Sequence, residues 1–255
     1  MRRAFWVAVV MGGSAAAALC SMPRFEASVP AGIILPVRLN NSISSKKAKT
    51  DQVFTARLMQ NVPLPDRGRI REGARVLGHI VSVSAATPSS GARVSLKIDS
   101  LVVSGQTIPI RTSLRAIASP LEVEDAELPA WGADRGTSSN AYTTIQVGGE
   151  VVYRGGGHVM RHGEVVGEPV YDGVLARIRA NVDGECRGAI DENEAPQALW
   201  LFSSDACGAY GFAGMEIVDT GRANANGEIV LATNRGNLNI RSGTGMLLRV
   251  KALKQ

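Results

Sequence analysis

The stretch ARVSLKIDSL, residues 92–101, alternates apolar and polar side chains at every step. The apolar set is Ala92, Val94, Leu96 and Ile98, and the polar set is Arg93, Ser95, Lys97 and Asp99. Successive side chains of a β-strand point to opposite faces, so this pattern predicts a strand with one buried face and one face in water. Such a half-buried strand is typical of an antiparallel sheet.

The flanking segments repeat this alternation. ILPVRLN, residues 34–40, and FTARLM, residues 54–59, each place three apolar side chains on one face. Ser104-Gly105-Gln106 predicts a short hairpin connection after the strand at 92–101. Regular turn signals without a helical period predict an antiparallel barrel-like or sandwich-like module over residues 28–118. The chain as a whole is therefore predicted to be mainly β.

The bulk composition is that of a globular protein with a mild positive charge. The chain has 255 residues, 20% of them charged, and a formal net charge of +5. Its length fits one large or two modest domains. The cations are scattered except at Lys46, Lys47 and Lys49. A solvated loop is the favoured interpretation of that cluster and a polyanion-binding patch is the alternative. Because the basic residues form no continuous stripe, no nucleic-acid partner is predicted.

The first residues predict export. MRRAFWVAVVMGGSAAAALCSMP, residues 1–23, has a basic start, an apolar run and then small residues, which is the pattern of a secretory signal peptide. We assign residues 1–27 to the signal peptide and leader and predict a periplasmic or extracellular protein. A lipid anchor on Cys20 is the alternative, and it or the signal peptide would be the only link to a membrane.

Two cysteines remain in the exported part. Cys186 and Cys207 form an isolated even pair, and in an oxidising compartment such a pair predicts a disulfide. A catalytic cysteine is the alternative, but no histidine lies near either residue in sequence.

The second half is predicted to be a separate module. Residues 119–140 combine prolines with an acidic cluster and are interpreted as a linker or long excursion. The cluster consists of Glu122, Glu124, Asp125 and Glu127. A solvated face is favoured over a calcium site because the ligand spacing of a calcium loop is missing. Residues 141–255 are predicted to form a disulfide-stapled β module.

One short helix is predicted within this second module. In YDGVLARIRANVDG, residues 171–184, apolar side chains recur at helical spacing between Asp172, a possible N-cap, and Gly184, a possible end. These apolar residues are Val174, Leu175, Ile178 and Val182.

A histidine-methionine-histidine pattern raises the question of a metal site. His158, Met160 and His162 lie at alternate positions of YRGGGHVMRHGEV, residues 153–165. On one continuous strand they would share a face and present a set of ligands suited to copper. His162-Gly163 is also a plausible two-residue turn, which would separate the three side chains. We favour the hairpin, assign no metal and keep these residues as candidates only.

The segment PAGIILPVRLNNSISSKKAKTDQVFTARLMQNVPL, continued by GRIREGARVLGHIVSV within residues 30–83, carries a family resemblance. It resembles the opening of the periplasmic β-barrel domain of TrbI-like proteins, which are scaffold components of type IV secretion and conjugation machines. The corresponding elements here are residues 32–36, 42–45, 53–62 and 70–78. The resemblance implies a barrel fold and a scaffolding role, and it lends no catalytic residues. The overall layout also resembles that of exported bacterial proteins without an assigned function.

No complete catalytic signature is found in the sequence. The glycine-rich segments lack the helix and the Gly-Lys-Ser/Thr ending of a phosphate-binding loop, and LFSSDACGAYG, residues 201–211, is not a nucleophile elbow. We therefore predict a non-enzymatic envelope protein that binds or scaffolds an envelope protein or cell-surface component, without a cofactor. The alternatives are a secreted hydrolase whose site, for example around Asp205, is assembled from distant residues, and a periplasmic metal-binding protein.

Overall fold

A computed structural model describes residues 28–130, 141–179, 186, 195–222, 224 and 226–253. Over these residues the chain is mainly β and contains one short helix, which confirms the predicted fold class. The predicted signal peptide and Cys20 lie outside the described residues.

Within the part of the chain that the structure describes, twenty strands and one helix follow each other. The first strands are β1 (Ile34–Leu39), β2 (Ile43–Ser44), β3 (Val53–Leu58), β4 (Val62–Pro63), β5 (Arg69–Ile70), β6 (Arg75–Ser84), β7 (Arg93–Val103), β8 (Gln106–Pro109) and β9 (Arg111–Ala118). Then come α1 (Pro120–Glu127), β10 (Thr143–Ile145), β11 (Val151–Tyr153), β12 (Val159–Arg161), β13 (Glu164–Val170), β14 (Gly173–Ala176) and β15 (Gln197–Ala198). The last strands are β16 (Gly208–Tyr210), β17 (Met215–Ile217), β18 (Ile229–Thr233), β19 (Asn239–Ile240) and β20 (Gly245–Lys251).

Ten strands form the main sheet, in the order β16-β9-β20-β1-β3-β6-β7-β18-β17 with β8 added beside β7. The pairs are antiparallel except for β16 with β9. β16 and β17, at the two ends of this order, follow each other in sequence and lie in contact. The sheet therefore curls round into a barrel, which reduces the length of exposed strand edge.

The barrel encloses one apolar core. The strand at β7, which the opening alternation predicts, contributes Val94, Leu96 and Ile98 to this core. Phe54 of β3 and Leu248 of β20 lie in the same cluster and are almost fully buried. The predicted hairpin after β7 is also present, because Ser104 and Gly105 both have positive φ and connect β7 directly to β8. Two consecutive residues with positive φ are typical of a type I′ hairpin turn.

The strand pairing crosses the module boundary predicted from the sequence. Residues 141–255 were predicted as one module, but only β10 to β15 of that range form a sheet of their own. β16, β17, β18 and β20 complete the barrel begun by β1 to β9. The chain therefore leaves the barrel after β9 and returns to it at β16. Sequence alternation identifies strands but not their partners, so this return is visible only in the strand pairing.

The second sheet is an antiparallel meander in the order β10-β11-β12-β13-β14-β15. Its buried face packs against the outside of the barrel wall. Val152, Val166 and Val174 of this sheet share a core with Ile34 of β1 and Leu247 of β20. β1 and β20 are consequently buried on both faces, because the side chains that follow Ile34 and Leu247 in sequence lie in the barrel core.

The predicted helix at 171–184 is wrong in its described part. Residues 173–176 form β14, which pairs with β13. Val174, Ala176 and Ile178 lie in the second core, at the period of two that a strand requires, while Leu175 packs against the barrel core. The segment looks like a helix in sequence because Val174 and Ile178, four residues apart, fit the 3.6-residue period of a helix as well as the two-residue period of a strand. Residues 180–185 lie outside the described residues.

The helix occurs instead in the segment interpreted as a linker. Ser119 caps α1, since its hydroxyl accepts from the Glu122 amide at 3.3 Å, and Pro120 occupies the first turn. Val123 and Ala126 are buried against the second core, so the acidic residues of the cluster occupy the rest of the helix surface. Ser119-Pro120 followed by Glu122 is a helix-start signal that the sequence contained.

Candidate functional site

The predicted disulfide is present between Cys186 and Cys207. Cys207 immediately precedes β16, so the bond fixes the chain where it returns from the second sheet to the barrel. Arg115 of β9 is buried at the same place and donates to the carbonyl oxygens of Arg179, Cys186 and Ser204 at 3.0, 3.1 and 3.3 Å. A guanidinium with several planar donors suits such a ring of carbonyl groups. This region is a junction between the two units.

The histidine-methionine-histidine pattern forms a hairpin. His162 and Gly163 have φ values of 50° and 84° and connect β12 directly to β13. His162 therefore leaves the strand that contains Met160, and His158 precedes that strand. Within the described ranges, no group of three or more His, Cys, Asp and Glu side chains is placed to hold a metal ion. The geometry separates the three side chains that the copper interpretation required.

Met160 instead belongs to an apolar row across the second sheet. Ile145 pairs with Val151, Val151 with Met160, and Met160 with Val165. Each of these four side chains is 42–52% exposed. The row faces away from the barrel, since the alternate residues Val152 and Val166 are buried in the second core.

A cleft with a volume of about 800 Å³ lies between the barrel, α1 and the second sheet. Trp200, Leu201, Met59 and Ala126 supply apolar surface, and Tyr142 and Tyr171 supply aromatic surface. Tyr171 is fully exposed at a turn, whereas Trp200 is only 4% exposed. Clefts that combine apolar and aromatic surface with fixed polar groups are typical of ligand-binding sites.

Arg154 is the cation of this cleft, and three contacts hold it in place. It donates from Nε to Thr144 Oγ1 at 3.2 Å and from a terminal nitrogen to the Gly173 carbonyl oxygen at 2.7 Å. The Gln146 amide, oriented to donate to the Leu201 carbonyl oxygen, accepts from the other terminal nitrogen at 3.1 Å. Burial lowers the pKa of Arg154 from its ordinary value, because a charged group loses hydration there.

Hydrogen bonds of two neighbouring residues after β3, Gln60 and Asn61, hold the segments beside the cleft in place. Gln60 is fully buried, donates to the Val174 carbonyl oxygen at 2.9 Å and accepts from the Trp200 amide at 2.6 Å. Asp172 accepts from the backbone and side-chain amides of Asn61 at 2.7 and 2.9 Å. A Cβ at Gly173 would lie 2.6 Å from the Trp200 Cα, so the close approach of these two segments requires glycine.

A second polar cluster lies close to Asp205, the residue named for the hydrolase alternative. Glu150 accepts from the Ser204 amide at 3.0 Å and from the Ser204 hydroxyl, while Asp205 forms a salt bridge with Arg161 at 2.7 Å. Burial raises the pKa of Glu150. Glu150 and Ser204 are 1% and 0% exposed, and neither lines the cleft. These contacts secure the turn at 203–207.

The residues that converge in the cleft were missed by the sequence analysis. Tyr142, Arg154, Tyr171 and Trp200 lie in different strands and turns, and Met59 comes from the barrel. No short motif connects them. Trp200 carried a weak signal as part of the apolar segment ALWLF, residues 198–202, which is buried beside the cleft.

Comparisons of the chain with protein-family models, with curated proteins and with solved structures found no match. Among the described residues, no helix has the length and apolar character needed to cross a membrane.

Proposed function

We propose that this protein is an exported envelope protein that binds an envelope protein or cell-surface component through the cleft between its barrel and its second sheet. The observation that carries the proposal is the cleft itself, whose volume of about 800 Å³ is large enough for a peptide or sugar segment. The role is binding and scaffolding, without catalysis.

The lining of the cleft supports recognition of an extended, partly apolar segment. Tyr142, Tyr171 and Trp200 offer aromatic surface, and aromatic side chains bury large areas with little loss of conformational freedom. Arg154 offers a charged group that is already oriented by three hydrogen bonds. A site that is ordered before binding loses less entropy on association.

Export is supported by the signal-peptide pattern of residues 1–23 and is compatible with the disulfide. The resemblance of residues 30–83 to TrbI-like barrels supports a scaffolding role in the envelope. Cell fractionation tests this part of the proposal. The processed chain is expected in the periplasmic or extracellular fraction, and accumulation of the full-length chain in the cytoplasm would contradict export.

Site-specific photocrosslinking in intact cells tests the cleft. A photoreactive phenylalanine analogue at Tyr171 places the probe at the rim of the cleft, and the same analogue at Tyr153 provides the matched control. Tyr153 is an exposed tyrosine of the second sheet that does not line the cleft. We expect a defined crosslinked product at position 171 that is absent at position 153. Equal products at both positions, or none at 171, would contradict binding in the cleft.

A further inference from the structure

One end of the barrel is closed by three loops, and hydrogen bonds join two of them to the third, at residues 234–244. Residues 40–52, 84–92 and 234–244 form this barrel cap, in which β2 and β19 pair. Ser45 Oγ donates to Asn237 Oδ1 and accepts from the Leu238 amide, and Asn237 Oδ1 also accepts from the Ala86 amide. Since Ser45 is buried and the loop at 234–244 hydrogen bonds to both of the others, the cap presents its exposed side chains from an ordered scaffold.

The barrel cap concentrates positive charge. It contains Lys46, Lys47, Lys49, Arg235 and Arg241, all exposed. Asp51 is its single acidic residue, so five cations against one carboxylate give +4, compared with +5 for the whole chain. None of these cations belongs to a salt bridge among the residues that the structure describes. Clustered like charges raise the local potential and attract anions.

A cleft of about 480 Å³ lies within this positive region. Its lining residues include Lys46 and Lys47, Ser42 and Ser44, and Asn237 and Asn239, whose side chains carry ammonium, hydroxyl and amide groups. The lining contains no carboxylate. Ammonium, hydroxyl and amide groups all donate hydrogen bonds, which is the set that an oxyanion requires.

We propose that the barrel cap binds a phosphate-bearing anion, with Lys46 and Lys47 contacting the phosphate in the cap cleft. Phosphate fits because it carries more than one negative charge at neutral pH and several acceptor oxygens, which match the number and spread of the donors. Arg235 and Arg241 extend the positive surface beyond the cleft and make a ligand with repeated phosphates bind more tightly. The cap shares no residue with the cleft of the proposed function, so this inference is independent of it.

The opposite end of the barrel offers a matched control. Arg69 and Arg71 are exposed there. Two acidic residues, Asp66 and Glu72, are also exposed there, and each is next to an arginine in sequence. Replacing Lys46 and Lys47 by glutamate changes the net charge as much as replacing Arg69 and Arg71 by glutamate. The two double variants therefore separate a local site from a general effect of net charge.

The experiment measures binding of the full exported chain to two probes. The first is inorganic phosphate, followed by the NMR shifts of the amides in residues 42–52 and 237–239. The second is a vesicle of phosphatidylcholine with phosphatidylglycerol, compared with a vesicle of phosphatidylcholine alone, followed by sedimentation. Phosphate without vesicle binding identifies a soluble anion as the source, and vesicle binding identifies lipid headgroups.

We expect Lys46→Glu with Lys47→Glu to reduce binding by at least about 25-fold, because the loss of each lysine near an anionic surface costs about fivefold and glutamate adds repulsion. Arg69→Glu with Arg71→Glu is expected to change it less than about twofold. Glutamine at positions 46 and 47 serves as a second variant if the glutamates unfold the cap, and circular dichroism checks the fold. Equal losses in both charge-reversed proteins, or no binding of either probe by the wild-type chain, would overturn the proposal.

Discussion

The barrel and the second sheet are stabilised in different ways. The barrel has strands of up to 11 residues around a core that its own strands and loops supply except for Ala198 and Leu175 of the second sheet. The strands of the second sheet have two to seven residues, and its core includes Ile34 and Leu247 of the barrel wall. It also depends on buried polar contacts at Gln60 and Glu150 and on the disulfide. The comparison indicates that the barrel can remain folded when the second sheet opens, but not the reverse.

The largest expected effect comes from removing a large side chain of the barrel core. Phe54→Ala is expected to lower the free energy of unfolding by about 3–5 kcal/mol, because Phe54 is 1% exposed and its loss leaves a cavity. Since the second sheet packs against the barrel wall, amide exchange should accelerate in both units. Denaturant unfolding and hydrogen exchange measure these changes.

Phe202→Ala provides the counterpart in the second core. Phe202 is fully buried and packs edge to face against Trp200 with ring centroids 6.5 Å apart. We expect faster exchange in β10 to β15 while the amides of β6 and β7 stay protected. Equal acceleration in β6 and β7 would contradict the asymmetry between the two units.

The next effect concerns the disulfide, which lies at the junction between the two units. Cys186→Ser with Cys207→Ser is expected to lower stability by about 3 kcal/mol, because the bond closes a loop with a sequence separation of 21 residues. The loss should appear in exchange of the second sheet and the turn at 203–207. The mass shift on alkylation with and without reductant verifies the bond in protein from its native compartment. Two free thiols there would contradict this prediction.

The same comparison explains what the sequence could reveal. The barrel strands were identified because one face of each is exposed to solvent. Polar residues such as Arg93 and Asp99 therefore mark the alternation of polar and apolar side chains at 92–101. β14 was mistaken for a helix because its four residues include no polar side chain, and Leu175 packs half-buried against the barrel core on the second face. The disulfide was predictable from two isolated cysteines, but the cleft was not, because Met59, Arg154 and Trp200 meet only through the packing of distant elements.

A smaller effect is expected at Gln60, whose side chain hydrogen bonds the barrel to the second unit. Gln60→Ala removes the hydrogen bonds to the Val174 carbonyl and the Trp200 amide, and it leaves two buried backbone groups without that partner. We expect a loss of about 2 kcal/mol and faster exchange of the Trp200 amide. Gln52→Ala is the control, since Gln52 is exposed and its side chain accepts only from the Lys49 amide among the contacts described. If both variants lower the free energy of unfolding by the same amount, the Gln60 hydrogen bonds do not join the two units.

The smallest effect is a dependence on pH that comes from Glu150. Burial raises its pKa above the ordinary value of 4.5, with Asp205 adding to the rise, while hydrogen bonds from Ser204 and the charge of Arg161 lower it. The folded state therefore holds the proton more tightly than the unfolded state. The stabilisation from protonation is complete below pH 4.5 and is lost as the pH rises through the raised pKa.

Glu150→Gln should flatten this part of the stability profile, because glutamine does not ionise and its amide oxygen can still accept from the Ser204 amide. Thermal unfolding of the two proteins at a series of pH values above 4.5 measures the difference. Glu124→Gln on the exposed surface of α1 removes the same charge and should leave the profile parallel to wild type. Because Glu150 secures the turn through which the second sheet rejoins the barrel, the pH effect should appear in exchange at 203–207 before it appears in β6 and β7. Simultaneous change in both regions would mean that the turn and the barrel open as one unit.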